Sequence, residues 1–116
     1  MVWVSQFGQG GNRVIYALYK NGTYQRYDDT WVENVDPEST GETAPAGKLT
    51  PVRGFGKVWH NNATVKNGLG WALNSEVGTT GEIQRFERGE MVFVASQGQT
   101  YIFIGGTSWR MSSTGF

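Results

Sequence analysis

Few residues in this chain could do chemistry. One histidine, His60, would have to serve every Ser/His arrangement, and no Gly-x-Ser-x-Gly motif accompanies it. It follows Trp59 and precedes two asparagines, which predicts a surface or helix-end histidine rather than a general base. Paired-carboxylate catalysis needs two acids facing one substrate. Asp28 and Asp29 are adjacent, so on a strand they point to opposite faces, while Glu87 and Glu90 flank a turn. A turn or capping role is therefore expected for Asp28-Asp29. The oxygen-rich set Asp28, Asp29, Glu33, Asp36 and Glu38 has the chemistry of a calcium loop but follows no EF-hand spacing. The chain has no cysteine, which excludes disulfides, thiolate metal sites and thiol nucleophiles. Arg53-Gly54-Phe55-Gly56-Lys57 lacks the spacing of a phosphate loop, and its glycines are expected to turn the backbone tightly against an aromatic ring. No catalytic, cofactor-binding or metal-ligating residue is assigned, and no cofactor is expected.

The aromatic residues are more informative. They make up 14% of the chain, more than a core of this size can hide. Most are expected inside, because a thin β module gains ~25 cal/mol for each Å² of apolar surface it buries. One or two exposed rings could stack on sugars or anchor a partner protein. Trp31, beside Asp28-Asp29-Thr30, is the first candidate ligand-binding residue, followed by Trp59 and Trp71. Basic residues lie among these rings at Arg53, Lys57 and Lys66, a pattern shared with single-strand nucleic-acid binders. The charges balance, ten against ten, so no overall field draws the chain to nucleic acid, and that partner is not expected.

The elements that position these residues read mainly as strands. Gly contributes 17 of 116 residues and charged side chains only 17%, which suits short twisted strands and tight turns rather than a helical bundle. Strands are expected over 2–6, 14–20, 23–27, 81–87, 91–95, 100–104 and 107–111. Asn21-Gly22 between two β-prone runs predicts a hairpin closed by a type I′ turn. The stretch around Asp36-Pro37-Glu38-Ser39-Thr40-Gly41 has almost nothing to bury and reads as an exposed linker or loop over 34–50. Phe55, Val58, Trp59, Val65 and Leu69 recur at helical spacing, which predicts one short helix near 54–61, with Asn61-Asn62 and Asn67-Gly68 as breaks. No run of ~18 apolar residues is present, so membrane insertion is not expected. The expected fold is a small antiparallel β module of repeat type, with about six to seven short strands.

The chain also repeats itself. Met1-Val2-Trp3-Val4 matches Met91-Val92-Phe93-Val94 at an offset of 90. Tyr16 matches Tyr101, Leu18 matches Phe103, and Thr23-Tyr24 matches Ser108-Trp109, all at an offset of 85. The change of offset falls in the Gly-rich loop, where a length difference costs least. The chain thus reads as a single domain, 1–116, with a partial repeat over 1–33, the 34–50 loop and a full unit over 51–111. Repeat units bury their apolar faces against neighbours, so a homo-oligomer is one expected state.

The runs Pro51-Val52-Arg53-Gly54-Phe55-Gly56-Lys57-Val58-Trp59, Leu69-Gly70-Trp71-Ala72 with Glu76, and Gln84-Arg85-Phe86-Glu87-Arg88-Gly89-Glu90-Met91-Val92-Phe93 resemble a C-terminal module of exported proteins of Chloroflexi-type bacteria. More distantly, Leu69-Gly70-Trp71-Ala72, Glu76, Gln84, Phe86, Gly89 and Met91-Val92-Phe93 resemble the LGFP repeat of actinobacterial envelope proteins, with Trp71-Ala72 where that repeat has Phe-Pro. These resemblances imply a non-catalytic module outside the cell or at its surface, with an export signal lying outside these residues. Its partner would be cell-wall polysaccharide or another protein. The alternative is a structural self-assembly module whose split repeats pair between chains.

Overall fold

A computed structural model of the chain describes residues 2–5, 13–78 and 81–113. The fold is mainly β. Among the described residues, seven strands form two antiparallel sheets: β1 (Val2–Ser5), β2 (Arg13–Leu18) and β3 (Tyr24–Asp28) in one, and β4 (Gly81–Phe86), β5 (Gly89–Val94), β6 (Gln99–Ile104) and β7 (Ser108–Ser112) in the other. Each sheet follows chain order, so short hairpins suffice for its connections. Two short helices, α1 (Arg53–Asn61) and α2 (Ala63–Leu69), lie between the sheets in sequence.

The chain divides into two compact units. The first holds residues 1–17 and 26–76, the second residues 18–25 and 77–116, so the tip of the β2–β3 hairpin belongs to the second. In the first unit Val14, Ile15, Tyr16 and Ala17 are all buried, together with Val58, Trp59 and Val65 from the helices. Four consecutive buried residues mean that β2 is covered on both faces. In the second unit the large buried side chains lie on one face of the four-stranded sheet, and Thr100 is buried on the other. Register places Val92 opposite Tyr101, Glu90 opposite Phe103 and Val94 opposite Gln99, so these side chains share a face. Val92, Val94 and Phe103 are buried there, and the Tyr24 ring meets Phe103 edge-on at 4.9 Å.

The hairpin at Asn21-Gly22 forms with a different turn from the expected type I′. Only Gly22 has positive φ (85°); Asn21 does not. The Tyr19 amide donates to the Thr23 carbonyl and the Gly22 amide to the Tyr19 carbonyl, leaving a three-residue loop that ends on a left-handed glycine. The Asn21 side chain instead accepts hydrogen bonds from the Thr23 amide (3.0 Å) and hydroxyl (2.6 Å). Asparagine here works through its side chain rather than its backbone freedom.

The helical region also departs from expectation, with two helices in place of one. The break at Asn61-Asn62 occurs as read: Asn62 is extended, its carbonyl accepts the amides of Val65 and Lys66, and its side-chain amide donates to the Val58 carbonyl at 2.8 Å. Asn67-Gly68 does not break α2. The helix ends at Gly70, φ 69°, whose amide bonds back to the Lys66 carbonyl, a glycine C-cap two residues beyond the expected break.

Gly54 and Gly56 of α1 admit polar groups rather than an aromatic ring. A Cβ on Gly54 would stand 2.6 Å from the Asp29 carboxylate, and one on Gly56 would stand 2.5 Å from the Pro51 carbonyl oxygen. Asp29 also accepts the Trp31 amide at 3.1 Å, so it serves the turn role expected of it. Arg53 opens the helix in the left-handed region, φ 52°, a conformation costing an arginine about 1–3 kcal/mol. Its guanidinium is held by Glu38 (3.0 Å) and Glu76 (2.7 Å), and its amide donates to the Glu38 carbonyl. These bonds hold the backbone where propensity alone would not.

Candidate ligand site at the helical hairpin

Trp59 sits near the end of α1 with 1% of its surface exposed, and its indole N–H donates to the Gly70 carbonyl at 2.7 Å. The expectation that Trp59 binds a ligand is corrected on this ground: a ring in the core has no face to offer. The C-cap that ends α2 is thus also what satisfies the buried indole, which ties the two helices together. Trp71 follows directly and is half-buried, its ring centre 5.1 Å from that of Trp59 and tilted by 49°. Buried Trp59 supports the more accessible Trp71.

Charged groups from three segments meet at the same hairpin. The Lys66 ammonium lies 4.8 Å above the Trp59 ring and 2.6 Å from Glu42 Oε2. The other Glu42 oxygen contacts His60 Nδ1. Glu42 comes from the 34–50 stretch, whose backbone is fixed nearby by the Thr50 hydroxyl donating to the Glu42 carbonyl at 2.7 Å. The hydrogen bond from Lys66, then that from His60, holds the Glu42 carboxyl below the usual glutamate range. A carboxylate kept ionised with both oxygens engaged is a poor proton carrier near neutral pH. It is a good fixed acceptor, and the Lys66 ammonium beside it is a fixed donor.

The rest of the 34–50 stretch is held the same way. It forms no strand, only the isolated bridges Ser39↔Val52 and Leu49↔Ala72. Lys57 reaches Asp36 at 3.1 Å and the Thr30 carbonyl at 3.1 Å, while the Asp36 carboxylate accepts the Val32 amide at 2.7 Å. Arg53, Lys57 and Lys66, the cations read among aromatic rings, thus each face a carboxylate. Among the described residues no three of His, Asp and Glu are grouped to hold a metal ion. Asp29, Asp36 and Glu38 are taken up by the turn and ion-pair contacts given above.

Trp31 makes its contacts elsewhere. Its indole N–H donates to the Pro37 carbonyl at 3.0 Å and its own carbonyl accepts from Arg13 at 3.2 Å. The ring is half-buried, with its polar edge occupied. His60 lies in the last turn of α1 with 46% of its side chain exposed, the helix-end placement its neighbours predict. Of the three tryptophans singled out by sequence, the fold brings Trp59 and Trp71 together. Sequence reading missed Glu42, which is 18 and 24 residues from His60 and Lys66 in a stretch with no periodic pattern. No family model matches this chain, and no curated protein or solved structure matches it.

Proposed function

We propose that this chain is a non-catalytic binding module, acting outside the cell or at its surface, that holds a cell-wall polysaccharide at Trp71. The observation that carries the reading is the half-buried Trp71 ring resting on buried Trp59, with the Lys66 ammonium of the Glu42–His60–Lys66 cluster over the Trp59 ring. A pyranose offers an apolar face to an indole and hydroxyls to fixed donors and acceptors, and this site has both parts. The engaged state of Glu42 supports a binding role over acid–base chemistry. The envelope resemblance of Leu69-Gly70-Trp71-Ala72 and the runs around it supports the location and the ligand class.

The test is retention of the purified chain on insoluble cell-wall polysaccharide, with Trp71→Ala and Trp31→Ala beside it. Trp71→Ala is expected to weaken binding about tenfold or more, the loss of ~1.4 kcal/mol or more of stacking. Trp31→Ala should leave it within a factor of about two. Equal binding by Trp71→Ala would remove the site. Retention that tracks wall protein rather than glycan would replace polysaccharide by a protein partner.

A further inference from the structure

The strand edges of the two sheets are guarded unequally. β3 carries Arg26 and Asp28, β4 carries Glu82 and Arg85, and β7 carries Arg110. β1 is Val-Trp-Val-Ser, with no charge and no proline. Charges and prolines on edge strands keep other chains from adding to a sheet, so β1 is the unguarded edge.

The second sheet shows what such an edge accepts. β1 pairs with β2 through Val2↔Tyr16, Trp3↔Ile15 and Val4↔Val14. β5 pairs with β6 through Val92↔Tyr101, Phe93↔Thr100 and Val94↔Gln99, the same positions displaced by 90 and 85. β5 therefore stands to β6 as β1 stands to β2. The other edge of β5 is covered along its whole length by antiparallel β4, from Gly81↔Val94 to Phe86↔Gly89. Among the described residues, no strand covers the corresponding edge of β1.

We infer that the outer edge of β1 is a self-association surface, taken by β1 of a second copy of this chain running antiparallel about a two-fold axis. The two three-stranded sheets then continue into each other. Two-fold pairing covers both uncharged edges at once and closes the assembly. Pairing β1 with the charged edge of β4 would leave free ends and grow without limit. Main-chain hydrogen bonds supply the attraction, and a ladder four residues long makes it weak and concentration-dependent. This inference does not depend on the polysaccharide reading.

Sedimentation equilibrium of the 116-residue chain over a rising concentration series tests it, with amide exchange followed in the same samples. A reversible dimer is expected, with the amides of Val2–Ser5 exchanging about tenfold more slowly once the dimer dominates and those of β4 unchanged. Ser5→Glu puts a charge on the β1 edge, the device by which edge strands resist added strands, and its self-association should be about tenfold weaker. Amide exchange on the unaltered chain decides the matter if Ser5→Glu misfolds. A monomer at every concentration, a dimer with unchanged exchange over Val2–Ser5, or an open polymer would each overturn the inference.

Discussion

β2 and β6 are the middle strands of two meanders paired in one register, yet β2 is buried at four successive residues and β6 only at Thr100 and Phe103. The loops leading into them differ as well. Nine residues separate Val4 from its partner Val14, and four separate Val94 from its partner Gln99. The register is the same although the connecting segments differ by five residues. A one-residue slip turns every side chain to the opposite face, so register is enforced by which residues must be buried and not by the turn. Burial depth is set separately, by what covers the second face. Val-Ile-Tyr-Ala in β2 is covered on both sides, whereas in β6 the face that carries Thr100 leaves Ile104 exposed, and on the Phe103 face the Tyr101 hydroxyl stays at the surface, donating to Gln97 at 2.7 Å.

Tyr16 and Tyr101 make this comparison directly testable, since the same residue type stands at equivalent register positions in two environments. Tyr16 is 1% exposed and Tyr101 is half-buried against Trp109, with ring centres 6.3 Å apart. Tyr16→Ala is expected to cost about 3–5 kcal/mol, the range for truncating a fully buried aromatic. Tyr101→Ala should cost less than about 2 kcal/mol, because solvent fills the space it leaves. Urea unfolding followed by fluorescence and by circular dichroism gives both values. Equal losses would mean that the meanders are equivalent in packing as well as in register.

The turns offer a smaller and sharper contrast. Tyr19 and Thr23 bracket Lys20-Asn21-Gly22, and Ile104 and Ser108 bracket Gly105-Gly106-Thr107, so the loops match in length. The first places its left-handed residue last, at Gly22 (φ 85°); the second places two first, at Gly105 (62°) and Gly106 (76°). Gly22→Ala and Gly106→Ala should each cost about 1–2 kcal/mol from backbone strain alone, since a Cβ at either meets no atom closer than 3.9 Å. Thermal melts of the two variants measure it. A change at Gly22 well above that range would show that the contact with the Trp109 carbonyl, and not conformation, sets the cost.

What was legible in the sequence follows from these cases. Strand positions, the hairpin, the α1 helix and the stop at Asn62 depend on neighbours in the chain, and the residues report them. The left-handed position within the turn was misread because Asn-Gly fits both a two-residue and a three-residue loop. α2 continued through Asn67-Gly68 because buried Val65 and the Gly70 cap outweigh roughly 1 kcal/mol of unfavourable propensity at Gly68. The roles of Gly54 and Gly56 depend on Asp29 and Pro51 approaching α1, which no local pattern encodes. Glu42 was invisible for the same reason. Its partners are fixed by the path of a stretch that carries no periodicity.

The smallest expected effect is the response to acid, and it separates two regions by sign. Glu42 is depressed by its hydrogen bonds from Lys66 and His60, and Asp36 by the Val32 amide and then by Lys57. Carboxyls depressed in the folded state stabilise it above their unfolded pKa and lose that contribution as pH falls through the folded value. Glu90 behaves oppositely, because burial on the core face of the second sheet raises its pKa. Arg85 stands 3.6 Å away, too far for the hydrogen bond that would offset this. The protonated form of Glu90 is favoured by folding, so its contribution is fully present below the unfolded pKa and is lost as pH rises through the raised one. As pH falls, β5 and β6 should tighten first, on the way down to the ordinary glutamate pKa, and the α1–α2 hairpin and the 34–50 stretch should loosen only below the ordinary carboxylate values. Residue-resolved amide exchange, corrected for intrinsic rates, reads the two regions in one sample. Glu42→Gln should blunt the first response and Glu90→Gln abolish the second, each leaving the other region alone. Parallel loss of protection in both regions would show that the chain answers acid as one body, and the contrast between its sheets would then end at packing.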